Sequence, residues 1–314
     1  MAKKKEILLC DYYDDWIITY KEGLVSDVTL DKYKMTAKVL RNKVPDLFIS
    51  DLDRRAYQNI LNDYAMTHEK QTTTDFHHQV KACIKDMFHD GILDRDPTYR
   101  AIVKGKPATK KKQKYLQTDE LKTLLRSLDL STITGFDWFI LIVAKTGIRF
   151  AEALALTPAD FDFQKNILTI DKTWDYKNPI GTFKPTKTAT SVRRIAIDWQ
   201  IVGQFRPLIT DLPENDPIFV GKNEDGSYAR VFNSTYNNWL SQKCKKLNIT
   251  EISIHALRHT HASVLLAAGV SINTISDRLG HADVGITQET YAHVLKELKE
   301  KDEQQMLSTL MQIG

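Results

Sequence analysis

The stretch His255-Ala256-Leu257-Arg258-His259-Thr260 decides how this chain is read. Followed by Val264, Leu265 and Leu266, it has the apolar spacing of a helix, and a helix sets His255 and Arg258, three residues apart, on one face. Two cations side by side without an acid gain nothing for folding, so the pair makes more sense around a bound anion. Downstream lie Leu279-Gly280-His281 and, ten residues after His281, Tyr291 within Thr290-Tyr291-Ala292-His293. Upstream, Thr146-Gly147-Ile148-Arg149-Phe150-Ala151-Glu152 puts a glycine at a helix end and an arginine three residues before a glutamate, again on one helical face. Taken singly these are weak signals, since an Arg/Glu pair is commonly a surface ion pair and a lone tyrosine commonly packs. His255, His259, His261 and His281 invite a metal reading, but Ala256 stands where the glutamate of an HExxH motif belongs, and no metal is expected.

Between the two arginine stretches, Ile167-Leu168-Thr169-Ile170 and Val192-Arg193-Arg194-Ile195-Ala196-Ile197 have strand character. They flank a segment rich in Lys, Thr and Pro that suits a hairpin turn and carries Lys184 and Lys187. Helices return from Ser234 onward. Residues 1–103 hold almost no strand signal: helical runs cover Ile7 to Tyr20, open at Thr29, and follow capping chemistry at Ser50 to Asp53 and at Thr72 to Asp75. The expected fold class is therefore mainly α with a small β-sheet or hairpin in the second domain. At 314 residues two domains are expected, a helical one over 1–103 and a second over 115–295, with a charged and then apolar tail over 296–314.

Lys104, Lys106, Lys110, Lys111, Lys112 and Lys114 fall in an eleven-residue stretch, 104–114, that contains no acid. These six exceed the whole chain's formal net charge of +4, so the remainder is slightly acidic. With Gly105 and Pro107 inside it the stretch suits a linker, and a lysine-rich linker suits contact with phosphates by counterion release. Three distant cysteines give neither a disulfide framework nor a zinc motif. No segment is apolar for long enough to span a membrane, and no signal-peptide pattern opens the chain, so a soluble, cytoplasmic protein is expected, one that a DNA-binding role would make nucleoid-associated.

The order Arg149, hairpin lysine, His255-x-x-Arg258, Leu279-Gly280-His281, Tyr291 resembles that of the tyrosine recombinases, the phage integrase family, from about Lys114 to Val294. The helical first domain with its basic linker resembles that family's core-binding domain. The resemblance implies double-stranded DNA as substrate and a tetramer of this chain joining two DNA sites. It also implies helper proteins that bend DNA or set directionality. Its site residues would be Arg149, Lys187, His255, Arg258, His281 and Tyr291, with Glu152 orienting Arg149; Lys184 competes with Lys187 for the hairpin position. Many integrases carry a further arm-binding domain ahead of the core-binding helices, and none is found here.

These residue types suit the chemistry. Bidentate guanidiniums grip the charge that builds on a phosphodiester under in-line attack, and losing one preorganised donor typically costs ~10²- to 10³-fold in rate. A phenol with pKa about 10 is only ~0.1% ionised at neutral pH, so Tyr291 must give up a proton, for which His255 is the expected acceptor. His281 would bond a phosphate oxygen and the lysine would protonate the leaving 5′-oxygen. A 3′-phosphotyrosine conserves the phosphodiester's energy, so neither ATP nor another cofactor is expected. Two rivals remain. Gly269 to Gly280 resembles part of a helix-turn-helix, which suits a non-catalytic DNA-binding regulator, and a type IB topoisomerase would share the chemistry.

Overall fold

A computed structural model describes residues 6–107, 115–131, 134–186, 188–292, 294, 306, 307 and 311. The chain divides into two compact units, Met1–Lys111 and Lys112–Gly314. Among the described residues no helix is long and apolar enough to cross a membrane.

The first unit holds helices α1 (Leu9–Tyr20), α2 (Asp27–Lys43), α3 (Arg54–Ala65) and α4 (Lys70–His89). In α1 the buried Leu9, Tyr13, Trp16 and Ile17 recur at the spacing of one helical face, and that face joins Leu40, Tyr57, Leu61, Val80 and Ile84 in the core. Trp16 Nε1 donates to Asp86 at 2.7 Å, which satisfies the indole where it is buried. Asp53 caps α3 by accepting from the Ala56 amide at 2.7 Å. Thr72 to Asp75 do not cap α4 as expected. That helix starts at Lys70, after Glu69, and the Thr73 and Thr74 hydroxyls bond back to carbonyls four residues earlier. The expected linker also begins differently. Gln58 brackets the backbone of Ile102 with two 2.8 Å bonds, and a Cβ on Gly105 would fall 2.2 Å from the Lys70 nitrogen, so 102–106 is a strap on this unit. Lys104 and Lys106 are exposed along it. Lys110, Lys111, Lys112 and Lys114 lie outside the described residues.

The second unit contains α5 (Thr118–Arg126), α6 (Phe136–Thr146), α7 (Phe150–Leu154), β1 (Phe161–Asp162), β2 (Ile167–Ile170), β3 (Lys172–Trp174), β4 (Phe183–Pro185), β5 (Arg193–Ala196), α8 (Trp199–Ile209), α9 (Asn233–Lys246), α10 (Ile254–Ala267), α11 (Ile272–Leu279) and α12 (Val284–Thr290). α6 is buried on every side from Trp138 to Ala144 and packs on α10, which fits a helix that is apolar all round. The sheet order is β1-β2-β5, antiparallel, with Leu168 opposite Ile195 and Ile170 opposite Arg193. The period-2 alternation of β5 turns Arg193 and Ile195 inward and leaves Arg194 exposed. β3 and β4 form a separate hairpin. Of the expected tail, Met306, Leu307 and Met311 are described, and all three are exposed.

Candidate active site

The site begins where α6 ends. Gly147 takes the left-handed conformation (φ 71°), and a Cβ there would stand 2.7 Å from the His261 ring, so only glycine fits both the turn and the approach. Two residues later Arg149 is not on a helical face, as the spacing predicts, but at the N-cap of α7 with extended backbone. Glu152 still meets it. Its Oε2 accepts from the Arg149 amide at 2.9 Å and its Oε1 from the Arg149 guanidinium at 2.7 Å. Arg149 also donates to the Gly280 carbonyl at 3.1 Å. From β5, Arg193 closes on the same carboxylate at 2.8 and 3.2 Å, and donates to the carbonyls of Arg278 and Ser191. Burial alone would raise the pKa of Glu152. The hydrogen bonds and charges of Arg193 and Arg149 outweigh it and hold the carboxyl below its ordinary value, so it stays ionised.

Arg258, from α10, is 3% exposed, and donates to the carbonyls of Gly147 at 2.8 Å and Leu279 at 2.7 Å. Those carbonyls sit at the C-terminal ends of α6 and α11, where unpaired acceptors and the helix dipole favour a cation. Burial, reinforced by Arg149, lowers the pKa of Arg258 to about 9, which leaves it charged at neutral pH.

Tyr291 follows the last turn of α12, packed against Ala262, Leu266, Ile275 and Leu279 and 2% exposed. Burial raises its pKa to about 12, against a lowering contribution from Arg258. The imidazole beside its hydroxyl is not His255 but His259, one turn further along α10, with Nδ1 at 3.1 Å. His255 is exposed, and its ring stands edge-on to that of His259 at 4.9 Å between centroids. His281 Nδ1 lies 2.7 Å from the Thr287 hydroxyl; burial, with Arg258 and Arg149 nearby, lowers its pKa to about 4, so the ring is neutral at physiological pH. His261 is taken up in structure, between the Ala144 carbonyl at 3.0 Å and Arg278 Nε at 2.9 Å. Among the described residues no three His, Cys, Asp or Glu side chains gather as a metal site.

A cleft of about 480 Å³ is lined by Arg149, His255, Arg258, His259, His281 and Tyr291, with Thr173 and Thr188 from the hairpin side. Of the two hairpin lysines, Lys187 lies outside the described residues; its neighbour Thr188 lines the wall of the cleft. Lys184 is half-exposed on β4 and paired with Asp175 at 2.7 Å. Sequence reasoning missed Arg193, His259 and Thr287. Arg193 was within reach, because strand alternation puts it on the same inward face as Ile195, and a buried arginine needs an acid such as Glu152. The other two depend on how α10 and α12 meet, which residue spacing alone does not carry.

The model of the phage integrase family matches residues 114–297. The integrase of ICEBs1 from Bacillus subtilis strain 168 is 26% identical over 276 residues, 83% of this chain and 74% of that protein. The tyrosine recombinase XerD of Listeria innocua is 31% identical over 224 residues, 69% of each. Among solved structures, the Tn1549 transposon integrase in complex with a circular intermediate DNA superposes with a TM-score of 0.75 at 16% identity, covering 94% of this chain and 99% of that one. The fold agrees with that structure, and the family match spans more than half the sequence. The chain belongs to the phage integrase family, the tyrosine recombinases, enzymes that cleave and rejoin DNA.

Proposed function

We infer that this protein is a site-specific recombinase of a mobile element, performing integrase- or excisionase-type strand exchange with Tyr291 as nucleophile. One observation carries the reading: the Tyr291 hydroxyl, the guanidiniums of Arg149 and Arg258 and the imidazoles of His255, His259 and His281 converge on one cleft. Arg149 and Arg258 bind the non-bridging oxygens of the scissile phosphate, their remaining donors being held in place by backbone carbonyls. In the tautomer whose Nδ1 accepts from the Thr287 hydroxyl, neutral His281 presents Nε2–H as a further donor to the phosphate. His255, exposed at the mouth, completes the grip. Attack by the Tyr291 oxygen forms a 3′-phosphotyrosine bond and breaks the bond to the 5′-oxygen, which takes a proton from Lys187. The 5′-hydroxyl of the partner strand then reverses the step, so no ATP is consumed.

The first unit acts as the core-binding domain and the lysines of 104–114 as phosphate contacts between it and the catalytic domain, 115–295. The family resemblance supports four protomers on two DNA sites, helped by bending or directionality proteins, in the cytoplasm at the nucleoid. The exposed Met306, Leu307 and Met311 suit a tail that docks in a neighbouring protomer. A nicked suicide duplex, built on the site where the wild-type protein becomes attached to host genomic DNA, tests the central claim. Wild type should be trapped covalently and Tyr291→Phe should not; an adduct persisting in the Phe variant would move the nucleophile elsewhere.

A further inference from the structure

Tyr291 is the buried end of the cleft, and what reaches its hydroxyl determines where its proton goes. Its oxygen has His259 Nδ1 at 3.1 Å, a normal hydrogen-bond distance, with the rings tilted at 60° and their centroids 5.9 Å apart. Both side chains sit on anchored elements. His259 is in the middle of α10, whose flanking residues Arg258 and Thr260 are buried and bonded, and Tyr291 is fixed by its backbone bond to Thr287 at 3.0 Å and by apolar packing. His255 occupies the adjacent turn toward solvent, in ring contact with His259.

We propose that His259 is a catalytic residue, the general base that accepts the Tyr291 proton during cleavage and returns it during rejoining. The inference rests on Tyr291 being the nucleophile. In cleavage the O–H bond of Tyr291 breaks as its oxygen bonds to phosphorus. The proton passes to His259 Nδ1, giving an imidazolium, while the 5′-oxygen leaves with a proton from the hairpin lysine. In rejoining, the 5′-hydroxyl attacks phosphorus, the phosphotyrosine bond breaks, and His259 reprotonates the phenolate. The assignment accounts for how a phenol shut away from water can ionise at all, since no solvent molecule need approach it. It also frees His255, which faces the open end, for the phosphate.

Single-turnover cleavage of the nicked duplex should fall by about 10²- to 10⁴-fold in His259→Ala, the range ordinary for loss of a general base. His259→Gln retains a hydrogen-bonding side chain of similar reach but no titratable nitrogen, and should be as slow. The decisive measurement repeats both variants with 3-fluorotyrosine incorporated at position 291, whose more acidic phenol needs less help. The deficit of His259→Gln relative to the matched wild type should then shrink by about tenfold, as Brønsted behaviour requires, whereas that of His255→Ala should not. Cleavage by His259→Gln at the wild-type rate, or relief by fluorotyrosine of His255→Ala instead, would overturn the assignment. If Tyr291→Phe still forms an adduct, it is the nucleophile reading that fails.

Discussion

Arg193 and Glu152, 41 residues apart, meet at 2.8 Å with both side chains almost wholly buried, one on the inward face of β5 and the other in the first turn of α7. Arg149 meets the same carboxylate at 2.7 Å, so a strand sets the direction of a cleft-lining guanidinium through an intervening acid.

Truncating Arg193 would leave Glu152 buried with one cation fewer, and breaking a buried pair in this way costs about 3–5 kcal/mol. Arg193→Ala should therefore lower the denaturant midpoint markedly and depress cleavage well beyond its effect on DNA affinity. Arg193→Lys, which cannot bridge both carboxylate oxygens and two carbonyls, should recover only part of either. A midpoint equal to wild type would show that the pair contributes nothing to the fold.

For the lysine, the expected role is protonation of the leaving 5′-oxygen. A 5′-phosphorothiolate duplex has a far less basic leaving group, so it should restore cleavage by Lys187→Ala while doing little for Arg149→Ala or Arg258→Ala. Lys184 is engaged with Asp175 on β4; rescue of Lys184→Ala instead would transfer the role by three residues.

The lysines of the interdomain stretch should contribute affinity without selectivity. Replacing Lys110, Lys111 and Lys112 by Gln should flatten the slope of log K against log salt by up to about 3 units, at ~0.9 for each phosphate no longer neutralised. Discrimination between the cognate site and random duplex should hold nearly constant. Equal slopes for the two proteins would show that these lysines do not touch DNA.

Acid should weaken both units through their buried histidines. Burial holds His77, His281 and His261 well below the ordinary imidazole value of 6.5, at about 4, about 4 and about 3. Each binds a proton more readily unfolded than folded, so its contribution is intact above pH 6.5 and is lost as pH falls toward the folded values. Between pH 6.5 and 4 the thermal midpoint should drop. His261→Gln should have a lower midpoint at pH 7 but a shallower decline, and an unchanged decline would remove His261 from the account.

How far the sequence reached differs from residue to residue. Helical spacing located α1, and strand character located β2 and β5, because burial on one side imposes those periods. Arg149 and Glu152 were legible as partners although the geometry between them is a cap and not a shared helical face; three residues bring side chains together in both cases. The start of α4 was misplaced because threonines that cap well also back-bond inside helices. The Tyr291–His259 contact lay beyond reach, since His255 and His259 are one turn apart on the same helix, and only the docking of α12 selects between them.

The acceptors that orient Arg149 and Arg258 include three main-chain atoms: the carbonyls of Gly147, Leu279 and Gly280. A carbonyl survives any change of side chain, so mutation cannot delete these acceptors and can only displace them. At Leu279 a substitution is felt through packing. At Gly147 and Gly280, both left-handed, it is felt through backbone twist, which swings the acceptor itself. A substitution near these three atoms can therefore only re-aim Arg149 and Arg258, whereas a substitution at either arginine removes its guanidinium outright, because acceptor and donor are written in different parts of the polymer.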